Sequence, residues 1–163
     1  MILLNQMQKN FKKGFMMVEV IIAISIIVVS ILAAMSVTQK SIYVARQSLH
    51  VSQATFLLEE GAEAVRIVRD NAWSNISSLT IGTDYYPTFS GGTWILSTTP
   101  STIGIFTRKI NMANVNRNVT TGDIASSGVN DSGTKLITIT VSWTEGGVAM
   151  SKTLSFYIMD IFS

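Results

Sequence analysis

Hydrophobic and polar positions divide the chain into an apolar first part and an alternating last part. From Phe15 to Val37 the run of 23 residues carries one charged side chain, that of Glu19. As an α-helix this run would be about 35 Å long, which is enough to cross a hydrocarbon core of about 30 Å. The pattern therefore predicts a membrane-spanning helix over residues 15–37.

An amphipathic pattern continues the helix over residues 38–71. Apolar or small residues recur there at intervals of three and four, as on one face of a helix. We expect this stripe to face a core, and its members are Ile42, Ala45, Leu49, Ser52, Phe56, Ala62, Val65 and Val68. Gly61 interrupts the pattern at a cost of about 1 kcal/mol relative to alanine, which close packing against a sheet would explain.

Residues 72–163 change to a strand-like pattern and predict a globular domain. Four segments read as strands, at residues 93–97, 103–110, 135–143 and 148–159. The third places Ile137, Ile139, Val141 and Trp143 on one face, because side chains alternate along a strand. The fourth places Met150, Leu154, Phe156 and Ile158 on one face in the same way.

Turns and loops join these segments. The sequence TEGG at 144–147 predicts a tight hairpin between the last two strands. The polar stretches 71–92 and 111–133 are expected to be surface loops. The fold class that follows is α+β, with a long N-terminal helix packed on a C-terminal antiparallel β-sheet.

Charge gives the helix an orientation. The first 14 residues hold no acid and contain the basic residues Lys9, Lys12 and Lys13. Positive charge beside a membrane span favours the cytoplasmic side. We therefore expect a single-pass protein of the cytoplasmic (inner) membrane, with its N-terminus inside and its C-terminal domain outside. Of the 12 basic side chains, three are these lysines, so the rest of the chain carries 9 basic and 10 acidic side chains and has no basic body for nucleic acid, which is not an expected partner.

Little in the sequence suggests catalysis. The chain has no cysteine, which excludes disulfides and thiolate chemistry, and its one histidine is His50 in the amphipathic helix. No nucleophile-elbow or phosphate-binding glycine motif occurs. We expect neither enzyme activity nor a cofactor. Asp123 and Asp131 in the 111–133 loop are weak calcium candidates, but they lack the dense acid spacing of an EF-hand, so no metal is predicted.

Glu19 is the unusual residue of the apolar run. A charged side chain near the bilayer centre costs roughly 2.5–3.5 kcal/mol, and less near the interface. One interpretation places Glu19 at a shallow depth, where its carboxylate reaches the headgroups. The other gives it a partner cation.

The residues around Glu19 form a specific motif. A basic leader ends in Gly14, Phe15 follows, and the acid is the fifth residue after the glycine, giving GFMMVE. Residues 9–38 resemble the class III signal of type IV pilins and pseudopilins, whose common form is GFTLIE. The proline common in the middle of pilin helices is missing, and Ser36 occupies that region.

The resemblance implies a processing route. A prepilin peptidase would cut between Gly14 and Phe15, would remove residues 1–14 as a leader, and would methylate the new amine of Phe15. The helix would remain as anchor and then become filament core, with Glu19 pairing with the N-terminus of a neighbouring subunit and fixing register. The implied partners are the peptidase, sibling pilin subunits and an inner-membrane assembly platform, and the final location is an extracellular or periplasmic filament.

The C-terminal hairpin from Lys135 to Ile158 resembles that of V-type minor pilins and I-type minor pseudopilins. Minor pilins, type II secretion pseudopilins and DNA-uptake pilins share this N-terminal signal and its processing, so all three remain alternatives. Two rival interpretations differ in class. One is an uncleaved, membrane-anchored extracytoplasmic binding module. The other is a small secreted hydrolase cut after Ser36, for which the sequence offers no catalytic set.

Overall fold

A computed structural model describes residues 2–161 of the chain, with side chains from Met16 onward. The first helix, α1, covers Ile2–Asn71, and a short helix, α2, covers Ser74–Ser77. Seven strands follow, and their bounds are β1 Tyr86–Ser90, β2 Thr93–Ser97, β3 Thr102–Ile103, β4 Phe106–Arg117, β5 Ile124–Ala125, β6 Val129–Glu145 and β7 Val148–Met159. The α+β class and the long apolar N-terminal helix are confirmed.

The chain divides into two compact units, Met1–Gln47 and Ser48–Ser163. The first unit is helical throughout its described residues. The second unit contains the last 24 residues of α1 together with α2 and every strand.

The main sheet of the second unit is antiparallel, with the strand order β3-β4-β6-β7 and with β5 paired to the end of β4. β6 lies in the middle and pairs along its length with both β4 and β7. The predicted strands at 93–97 and 148–159 are confirmed residue for residue. The turn between β6 and β7 consists of Gly146 and Gly147, both with positive φ, which suits a two-residue hairpin.

The core lies between the sheet and the C-terminal part of α1. The helix contributes Ala54, Leu58, Ala62, Val65 and Val68, spaced at three and four residues. The inner face of β6 contributes Ile137, Ile139, Val141 and Trp143, all buried as their alternation predicts. Gly61 lets the two layers approach closely, because a Cβ there would lie 3.2 Å from the Ile139 Cγ2 atom.

Several sequence-based expectations were wrong. The first part of the stripe expected to face the core is exposed, including Leu49 and Phe56, whereas its last part, Ala62, Val65 and Val68, is buried as expected. The expected loop at 71–92 contains α2 and β1. The expected loop at 111–133 is largely strand, because β4 continues to Arg117 and β6 begins at Val129. The single strand expected at 103–110 is divided by a turn at Gly104.

Candidate functional site

The surface of α1 from Met16 to Val37 is almost entirely apolar. From Met16 to Val44 its large apolar side chains are exposed, and none of its most apolar 18-residue window is buried. Within the described residues, this is the one helix long and apolar enough to cross a membrane. A segment that is apolar on all sides and is not buried by the described residues needs an apolar environment from elsewhere.

The hydroxyl groups between Met16 and Thr38 are satisfied within the helix. Each donates a hydrogen bond to the backbone carbonyl four residues earlier, at 2.7–3.0 Å, and the donors are Ser25, Ser30, Ser36 and Thr38. In hydrocarbon an unsatisfied polar group costs several kcal/mol, so this local bonding makes the hydroxyls tolerable there.

Glu19 differs from these hydroxyls. Its side chain is exposed, and no hydrogen bond or ion pair joins it to another described side chain. It is therefore the polar group of the apolar segment that needs a partner from outside the described chain. The other residues of the predicted signal, Lys9, Lys12, Lys13, Gly14 and Phe15, have side chains outside the described set.

A buried carboxylate joins the helix to the sheet in the second unit. Glu145, at the end of β6, is 8% exposed. Its Oε2 atom accepts a hydrogen bond from Trp143 Nε1 at 3.3 Å and lies 3.2 Å from His50 Nδ1. The one histidine of the chain thus has a structural partner, and the contact fixes the hairpin end of β6 beside the helix.

The basic residues of β4 have structural partners. Arg108 is 3% exposed and reaches across to α1, where it pairs with Glu60 at 2.9 Å and donates to the Leu57 carbonyl at 3.1 Å. Lys109 pairs with Asp84 at 2.8 Å. These side chains hold elements of the fold together and do not form a basic surface.

The two calcium candidates of residues 111–133, Asp123 and Asp131, make contacts within the protein. Asp131 accepts hydrogen bonds from Arg117 Nε at 2.6 Å and from the Gly133 amide at 2.9 Å. Asp123 is exposed, and its backbone carbonyl accepts from the Asn118 amide at 2.8 Å. Across residues 16–161, no group of three or more His, Asp or Glu side chains is placed to hold a metal. Asp131 therefore acts as an acceptor that closes the end of the sheet.

The contacts of Asp131 make stability depend on pH. The Thr134 hydroxyl and the Arg117 guanidinium hold the pKa of its carboxyl below the ordinary 3.8. A lowered folded-state pKa stabilises the fold fully above the unfolded-state pKa, and this stabilisation is lost as pH falls through the folded-state pKa. Asp131→Asn is expected to cost about 1 kcal/mol of unfolding free energy at pH 7, and progressively less as the pH falls below 3.8 through the folded-state pKa. Urea unfolding at several pH values measures the difference, and a constant difference would contradict the assignment.

No protein-family model, curated protein or solved structure matches the chain. The features of the chain that bear on function are the GFMMVE sequence, the exposed apolar helix and Glu19 within that helix.

Proposed function

We propose that this chain is the precursor of a filament subunit of the type IV pilin or pseudopilin class. A prepilin peptidase cuts it after Gly14, and the helix beginning at Phe15 anchors it in the cytoplasmic membrane. An assembly platform then transfers the helix from lipid into a filament, where it packs against the helices of sibling subunits. The chain is a substrate of processing, not an enzyme.

The observation that carries the proposal is the pairing of one motif with one surface. The motif is GFMMVE, with Gly14 before the apolar run and Glu19 inside it. The surface is that of the helix from Met16 to Thr38, whose apolar side chains are exposed and whose hydroxyls are bonded internally. Glu19 is the polar group that this arrangement leaves for a partner.

Processing supplies that partner. Cleavage after Gly14 creates a cationic amine on Phe15, four residues before Glu19. In a filament the amine of one subunit meets the Glu19 carboxylate of its neighbour. Leaving one member of such a buried pair alone costs several kcal/mol, so only registers that bring the two together are tolerated. The pair consequently fixes axial register more than it adds stability.

The second unit fits the exposed part of such a subunit. Its sheet has one face on α1 and another that carries Thr138, Thr140 and Ser142, which are half-buried. A sheet with one packed face and one hydroxyl-rich face is suited to water outside the membrane. The hairpin formed by β6 and β7 is the part that resembles minor pilins and minor pseudopilins, so a minor subunit is the form we favour.

Substitution of Gly14 tests the proposal. Gly14→Leu is expected to reduce cleavage by a peptidase about a hundredfold, because a side chain at the cut displaces the backbone from the catalytic groups. The shortened chain would then be missing from membranes that contain the enzyme, as measured by intact mass.

Asn10→Leu is the matched control, since it adds a similar side chain four residues earlier and should be processed normally. If the original chain and both variants all kept residues 1–14 in the presence of the enzyme, the uncleaved membrane-anchored binding module would be favoured instead. A soluble product beginning at Val37 would favour the secreted protein.

A further inference from the structure

Two turns of the second unit carry exposed apolar side chains at one end of the sheet. The β3–β4 turn presents Ile103 and Ile105, and the residue after the β6–β7 turn is Val148. Together with Phe56 of α1, these side chains are 41–68% exposed. We refer to Phe56, Ile103, Ile105 and Val148 as the loop-tip patch.

The members of the loop-tip patch lie close together. A groove of about 530 Å³ has Phe56, Ile103 and Ile105 in its lining, together with His50. His50 in turn contacts Glu145, which pairs with Val148 across the hairpin. Three members of the patch thus line one groove, and the fourth lies in the hairpin beside it. Exposed apolar side chains gathered at one end of a sheet in this way mark a place of interaction.

Two of the charged groups beside the patch, Glu145 and Glu60, are already paired. Glu145 is held by His50 and Trp143, and Glu60 is held by Arg108. Glu59, three positions after Phe56, bounds the patch along the helix. The tips themselves carry apolar and glycine residues, so contact with an apolar environment leaves no isolated charge buried at their centre.

The covalent chain determines which apolar environment is near. Tyr43 and Lys40 follow the apolar run, and the Lys40 Nζ atom lies 5.2 Å from the centre of the Tyr43 ring. Tyrosine and lysine are typical of the membrane–water interface. His50, which lines the groove beside the patch, is seven positions after Tyr43, so the chain between them is at most about 25 Å long even when fully extended. The covalent chain thus connects the groove to the interfacial residues by a short tether.

We propose that the loop-tip patch docks on the bilayer that holds the anchor, with Ile103, Ile105 and Val148 inserted among the headgroups of the outer leaflet. Docking of the patch would fix the orientation of the second unit on the membrane before the subunit is assembled. The proposal rests on the membrane anchor alone and is independent of cleavage at Gly14 and of filament assembly.

Single labels test the docking directly, because the chain has no cysteine. Ile105→Cys and Val148→Cys are labelled separately with an environment-sensitive fluorophore, and the full-length chain is reconstituted in phosphatidylcholine vesicles. Some vesicles contain lipids with a nitroxide quencher near the headgroup. Val119→Cys is the matched control, since Val119 is also exposed and follows the far end of β4, about 35 Å along the strand. Ile27→Cys reports on the anchor, and because Ile27 lies near the middle of the 15–37 span, this label is read in separate vesicles whose lipids carry the nitroxide deep in the acyl chains.

The expected result is blue-shifted, nitroxide-quenched emission from the labels at 105 and 148, and unquenched emission at 119. Adding Ile103→Ser to the Val148 label is expected to reduce the docked population about tenfold, because an isoleucine side chain is lost from lipid. Labels at 105 and 148 that resemble the one at 119, while the label at 27 is quenched, would overturn the proposal. Shielding that appears only at high protein-to-lipid ratio would also overturn it, because the patch would then cover a second copy. An unquenched label at 27 would remove the anchor and the docking with it, whereas failed cleavage at Gly14 would leave both intact.

Discussion

Replacing Glu19 by leucine is expected to leave the chain in the membrane and to remove it from filaments. Leucine makes the apolar run more favourable for insertion, since the charge cost of the acid disappears. In the filament, however, the amine of the neighbouring subunit would lose its carboxylate. An uncompensated buried charge costs about 3–5 kcal/mol, so we expect incorporation to fall more than about tenfold.

The measurement compares two fractions from the same cells. Membrane extraction gives the inserted pool, and shearing gives the assembled pool, both quantified by immunoblot. Glu63→Leu is the matched control, because Glu63 is an exposed acid of the same helix outside the apolar run, paired with Arg66 at 3.2 Å. Incorporation of the Glu19 variant at the level of the Glu63 variant would contradict the role assigned to the acid.

Replacing Ile139 by alanine is expected to destabilise the second unit by about 3–4 kcal/mol. Ile139 is fully buried in the central strand β6, and large-to-small substitutions of buried Ile typically cost about 2–5 kcal/mol. Its neighbour across the interface is Gly61, which has no side chain to fill the space that alanine leaves. The cavity should therefore remain, and the cost should lie in the upper half of that range.

Denaturant unfolding of the full-length chain in detergent, followed by tryptophan fluorescence, measures this loss. Ile124→Ala is the matched control, because Ile124 lies in the short strand β5 and is substantially exposed, so its loss should be below about 1 kcal/mol. Equal losses for the two variants would show that Ile139 does not occupy the centre of the core.

The parts of the fold in which apolar residues repeat at a regular interval were predictable from the sequence. β7 was placed correctly because its apolar residues alternate and its turn residues, Gly146 and Gly147, suit only a tight hairpin. The inner face of β6 was placed correctly for the same reason. The apolar run was predictable because length and composition alone define a candidate span.

The buried face of α1 was predictable only in its last part. Ala62, Val65 and Val68 belong to the expected stripe and are buried, but before Gly61 the buried positions are Ala54 and Leu58. The larger side chains of Leu49 and Phe56 favoured a neighbouring face there, and both are exposed. The close approach of β6 at Gly61 is consistent with the expectation, because a position without a side chain permits it.

Long-range pairing explains the remaining errors. The polar residues from Asn111 to Arg117 lack strand propensity, yet they pair with β6 over the whole segment. Arg108 could not be identified as buried, because its partners Glu60 and Leu57 lie about fifty residues earlier in the chain. Among the predicted site residues, only Glu19, Asp123 and Asp131 have described side chains. The spacing of the acids along the sequence could not predict that Asp131 pairs with Arg117.

The central claim is that the chain is a processed filament subunit. Intact mass and N-terminal sequencing of the membrane-extracted protein, made with and without a prepilin peptidase, test it most directly. The account predicts a chain beginning at Phe15, with a methyl group on its amine, only where the enzyme is present. A chain that begins at Met1 under both conditions would contradict it and would leave a plain membrane anchor.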